Sequence, residues 1–134
     1  MKSYIKIIVF LLFLGTAAQA QVYRFEVSAV SMSVKEKGKW SNFTPFKEAK
    51  IVASLNTKKN YIAVYSDIEQ YFKIEKYYDK KNENGKEIVG FDCADQYGEP
   101  CFIEIQTKKK ENMSQLYINY SDRILVYNMK YVKK

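Results

Sequence analysis

At 134 residues, the chain has the length of a single domain. It is 47% hydrophobic, 16% aromatic and 28% charged, with a formal charge of +7. That apolar share can build a core and excludes a disordered chain, while the absence of any His excludes Ser-His-Asp hydrolases, Cys-His proteases and His-bearing zinc sites.

Residues 1–20 read MKSYIKIIVFLLFLGTAAQA. Lys2 and Lys6 make a basic start, residues 7–14 an apolar run too short to span a bilayer, and Ala18-Gln19-Ala20 a small-x-small cleavage signal. This order predicts a secretory signal peptide cut after Ala20, with residues 21–134 as one exported domain in the periplasm or outside the cell. No Cys follows the junction, which disfavours a lipoprotein anchor, and no later segment reaches transmembrane length. Cleavage removes Lys2 and Lys6 but no acid, so the domain keeps a positive field suited to acidic glycans, lipid headgroups or polyanions. Its lysines fall in short turn clusters (Lys58-Lys59, Lys80-Lys81, Lys108 to Lys110, Lys133-Lys134) rather than along one face. With neither an RNP-like motif nor a basic helix, no nucleic-acid partner is expected.

Alternation with a period of two then dominates, in β-branched and aromatic residues. Tyr23, Phe25, Val27 and Ala29 share one face of a first strand. From Val30 through Met32 to Val34 the apolar parity switches, as a β-bulge would make it do. Lys37-Gly38 makes a turn, and residues 41–50, with Pro45, read as a loop or one helical turn. Strand runs follow at 50–56, 61–65, 70–78, 86–92, 99–108, 113–120 and 123–132, separated by short polar turns and a polar loop at 79–85. Ser66 and Glu69 have capping-box spacing, but no helical period follows, so a turn is expected. Connections this short join antiparallel neighbours. The expected fold is all-β, a meander of about eight or nine strands. Pairing the first strand with the last would remove both open edges, which favours a barrel or near-barrel over a two-sheet sandwich.

An even pair of cysteines in an exported chain predicts a disulfide. A hairpin centred on Tyr97, with Gly98 in the turn, sets Cys93 opposite Cys101, and a non-hydrogen-bonded pair there would come close enough to bridge. Their spacing does not fit a redox-active Cys-x-x-Cys pair. Asp92, Asp95 and Glu99 crowd the same hairpin, and residues 79–85 faintly echo a calcium loop. An extra Lys breaks the EF-hand spacing, and turns are rich in Asp and Asn anyway, so no metal or other cofactor is expected. No carboxylate pair stands out as a glycosidase site. Asn42, Asn112 and Asn119 open glycosylation sequons, relevant only in a glycosylating host. Tyr and Phe on both faces of single runs place aromatics outside a curled sheet, where they can serve partners or simply strand formation. Trp40, Phe43 and Phe46, in the least strand-like segment, are the candidate contact residues.

The leader, Lys39-Trp40, the Cys93 to Cys101 hairpin with Gly98, Gln115-Leu116-Tyr117-Ile118 and Val126-Tyr127-Asn128 together resemble uncharacterised small exported all-β proteins of Gram-negative bacteria. That resemblance implies a compact β fold and carries no catalytic residue. The expected function is a monomeric, non-enzymatic binding module for an anionic glycan, lipid or protein partner. The alternatives are a carrier of a small apolar ligand inside the barrel and an inhibitor of a secreted hydrolase, with the positive charge opposing encounter with basic enzymes.

Overall fold

The computed structural model describes residues 22–132; the expected leader at residues 1–20 and the Lys133-Lys134 pair lie outside the described residues. The described residues form β1 (Val22–Glu36), β2 (Lys39–Trp40), β3 (Lys47–Asn56), β4 (Tyr61–Tyr65), β5 (Glu69–Tyr77), β6 (Lys81–Glu83), β7 (Lys86–Asp95), β8 (Pro100–Lys108), β9 (Met113–Asn119) and β10 (Arg123–Tyr131). Apart from β2 and β6, each strand pairs antiparallel with its chain neighbour, and β10 returns to pair with β1. The result is a closed eight-stranded barrel, the closed form of the barrel or near-barrel that the edge argument predicted.

The parity switch in the first strand is a bulge. Register shifts between Val27 and Ala29 against both β10 and β3, and beyond it Val30 faces Tyr127 and Met32 faces Leu125. Tyr23, Phe25 and Val27 point inward before the slip; Ser31 and Ser33 point outward after it. A second register shift, between Ile74 and Lys76, turns Tyr77 inward onto the Phe91 ring at 5.5 Å. Fully buried Phe72, Phe91, Ile62, Ile103, Leu116, Ile118 and Met129 fill the interior, as a barrel of about eight strands permits.

Two segments differ from the sequence expectation. The expected irregular stretch ends early, because β3 begins at Lys47. The polar loop at 79–85 is largely a hairpin: Asn84 and Gly85 take φ of 50° and 77°, and β6 pairs with the start of β7. Two consecutive positive φ values favour Asn-Gly and match the strand twist, so Asn82 and Glu83 join a ladder instead of converging as in a calcium loop.

The disulfide expectation is corrected. Cys93 does stand opposite Cys101, but both are free, buried thiols. The parity of the hairpin explains this. Asp95 N–H donates to the Glu99 carbonyl at 2.9 Å, which makes that a hydrogen-bonded pair. Ala94–Pro100 is then non-hydrogen-bonded and Cys93–Cys101 hydrogen-bonded again, with side chains farther apart than the bridging geometry needs. Burial in the barrel pushes both thiols up, Cys101 to about 12. They pack as small apolar groups.

Candidate functional site

Residues 41–46 have no regular structure, yet they are firmly tied down. Beyond Val30, β1 has left β3 and would present a bare edge. Thr44 closes part of it: its N–H donates to the Met32 carbonyl at 2.9 Å, and its Oγ1 accepts from Met32 N–H at 3.0 Å. Ser41 repeats the device on Val34 at 2.8 and 3.0 Å. In both cases a side-chain hydroxyl does the work of a strand carbonyl. The outward Ser31 and Ser33 hydroxyls donate to the Thr44 and Ser41 carbonyls at 2.5 and 2.7 Å, so both serines are buried although they face out.

This anchoring sets Phe43 and Phe46, each about half exposed, beside the outer face of β9 and β10. With Thr44, Ser31, Gln115, Tyr117 and Val126 they line a cleft of about 210 Å³. The sequence-predicted contact residues therefore divide. Phe43 and Phe46 share a cleft, whereas Trp40 pairs with Lys35 in the β1–β2 hairpin, its ring 5.9 Å from the Lys35 ammonium.

A second cleft of about 170 Å³ adjoins the first through Gln115, and is lined also by Lys86, Gln106, Lys108, Glu111, Met113, Ser114 and Asn128. Gln106, Gln115 and Asn128 are cross-strand partners, in register from β8 to β10. Gln115 Nε2 donates to Asn128 Oδ1 at 2.8 Å, and Tyr117 OH donates to Gln115 Oε1 at 3.0 Å. Gln106 Nε2 donates to Glu104 Oε1 at 3.1 Å, with Lys86 Nζ 3.5 Å from its oxygen. Burial, then the nearby Glu104 carboxylate, raises the Tyr117 pKa and keeps its hydroxyl a donor. Sequence reasoning missed these amides. Each occupied an outward position of its own strand, but only the register lines them up.

The lysine clusters also change meaning in three dimensions. In an antiparallel meander every second turn comes to the same end of the barrel. Lys58-Lys59 lies between β3 and β4, Lys80-Lys81 between β5 and β7, and Lys108 to Lys110 between β8 and β9. All three share the end where β1 begins, joined by Lys86 and balanced in part by Asp79, Glu83, Glu87 and Glu111. Glu87 takes Lys109 at 2.6 Å and Lys80 at 3.7 Å. At the opposite end lie Asp67, Glu69, Asp95, Glu99 and Asp122, of which Glu99 and Asp122 pair with Arg123, and Lys35, Lys37 and Lys39 on the adjacent hairpin. The barrel has a basic end and a more acidic one.

The crowded carboxylates do not converge on a common point. Asp92 Oδ2 accepts from Tyr78 OH at 2.8 Å, and Glu99 Oε1 pairs with Arg123 at 3.0 Å. Asp95 closes its own turn, accepting the N–H groups of Tyr97 and Glu99 and the Tyr120 hydroxyl. Burial pushes the Asp95 pKa up, but the Glu99 amide, Tyr120 hydroxyl, Tyr97 amide and Arg123 charge outweigh it and leave the group lowered. Among the described residues no group of acids or cysteines is set to hold a metal ion. Tyr61, Tyr65 and Tyr71 form a ring cluster on the outside of β4 and β5, with centroids 6.2 and 6.3 Å apart, over the fully buried outward Ala63. Among the described residues no helix is long and apolar enough to cross a membrane. Compared with known protein families, with curated proteins and with solved structures, the chain matches none.

Proposed function

We propose that this protein is an exported, non-enzymatic binding module for an anionic partner, carried to the periplasm or beyond by the leader at residues 1–20. The observation that carries this reading is the gathering of three sequence-distant lysine clusters at one end of the barrel. Cations at one end orient a polyanion before contact and raise its local concentration. Aromatic and amide side chains on the adjoining outer face then supply short-range contacts. Space for a partner lies outside, because Phe72, Phe91 and Leu116 occupy the interior and both clefts are on the outer wall. This favours surface binding over an internal apolar carrier.

The test is retention of the purified protein on immobilised dextran sulfate against neutral dextran, at rising salt. Selective retention that weakens with salt is expected, because exposed charges are screened. Combined Lys58→Glu, Lys59→Glu and Lys110→Glu should abolish it, while Lys37→Glu and Lys39→Glu at the far end should leave most of it. No retention at low salt, or equal loss from either end, would overturn the reading.

A further inference from the structure

We infer that the two clefts form one site for an acidic oligosaccharide, lying along the outer face of β8, β9 and β10 with its charged groups toward Lys86 and Lys108. This rests on the anionic-partner reading and adds a place and a ligand class to it. The clefts are neighbours that share Gln115. From Met113 in the lower cleft to Tyr117 in the upper one, β9 advances about 13 Å at a strand's usual rise, room for a short oligomer rather than one sugar.

The lining fits hydroxyl-rich rings. Every sugar hydroxyl both donates and accepts, and side-chain amides offer two donors and an acceptor oxygen each. The bonds from Tyr117 to Gln115 and from Gln115 to Asn128 hold these amides in fixed orientations. Among the described residues, no hydrogen bond uses the Asn128 amide N–H groups as donors. Phe43 and Phe46 present half-exposed faces at the upper end, suited to the C–H face of a pyranose. Lys86 and Lys108 stand against Glu111 in the lower cleft, with Glu104 held on Gln106 at its edge, so the positive excess that draws a uronate or sulfate comes from the basic end of the barrel onto which this cleft opens. An extended peptide would instead need a free sheet edge, and Thr44 and Ser41 already cover the edge beside these clefts.

Calorimetric titration of the purified protein with a tetramer of galacturonic acid tests this against its methyl ester, polyphosphate and an oligo-dC strand. The free acid should bind, the neutral ester more weakly. Phe46→Ala or Gln115→Ala should each weaken the acid about tenfold, the loss of ~1.4 kcal/mol expected of one good contact. Phe46 lies on the irregular segment and is half exposed, so its variant tests the site even if Gln115→Ala folds poorly. Uronate affinity unchanged by Phe46→Ala would overturn the site. Binding only of polyphosphate or oligo-dC would overturn the ligand class while leaving the basic-end reading intact. Silence toward every anion would remove both.

Discussion

Removing the hydroxyls of Thr44 and Ser41 should loosen one wall of the barrel without touching its core. Thr44→Val preserves the side-chain shape but deletes the Oγ1 that accepts Met32 N–H at 3.0 Å. Ser41→Ala deletes the acceptor of Val34 N–H, also at 3.0 Å. A hydrogen bond of this kind contributes ~1 kcal/mol net, the middle of the usual range, since the freed N–H can still reach water at an exposed edge. The two sites act on different residues of β1 and share no partner, so the double variant should lose ~2 kcal/mol. For a domain of this size that is a fall in Tm of about 6–8 °C. Thermal unfolding supplies the stability, and hydrogen exchange supplies the location: the Met32 and Val34 amides should lose protection while those of β7 and β8 keep it. Asn42→Ala, whose side chain is outside these bonds, is the control. An unchanged Tm together with unchanged protection at Met32 and Val34 would refute the claim that hydroxyls replace strand carbonyls here.

Two further outcomes follow from the buried and titrating groups. Both cysteines should ignore a thiol reagent in the folded protein and react in denaturant, because burial keeps them protonated at neutral pH; an unfolded, unreduced chain without titratable thiol would contradict the free pair. Asp95 has a lowered folded pKa, so its contribution is complete above the ordinary carboxylate value and is lost as pH falls through the folded value. Asp95→Asn should accordingly flatten the acid limb of a urea-midpoint curve, and an unchanged slope would show that the turn carries no such linkage.

The fold was legible wherever a single strand carries its own signal. Val30, Met32 and Val34 announced the bulge because an extra residue must reverse side-chain parity, and the register slips there. The closed edge followed from the same logic as the short turns. The Cys93–Cys101 opposition was also legible, because hairpin symmetry fixes which residues face each other. Whether the sulfurs meet depends on the alternation of narrow and wide pairs. That alternation is set by the turn's hydrogen bonds, here the one from Asp95 to Glu99, which residue counting cannot supply. Asn84-Gly85 carried a hairpin signal that the surrounding Asp and Asn residues masked as an open loop.

The candidate site was harder to read because it belongs to the register rather than to any segment. Gln106, Gln115 and Asn128 are ordinary outward residues of three strands until pairing aligns them. The lysine clusters look dispersed until turn parity sends all three to one end. A filled barrel makes this division understandable. With aromatic and aliphatic side chains occupying the interior, the proposed binding falls to what the outer wall and turns present. Phe43 and Phe46 lie where those two resources meet. Their segment is too irregular to be a strand, yet Thr44 and Ser41 bind it to β1 beside the cleft it lines. Loosening that strap should therefore weaken uronate binding even though neither hydroxyl need touch the ligand, and the thermal and calorimetric effects of Thr44→Val should appear together.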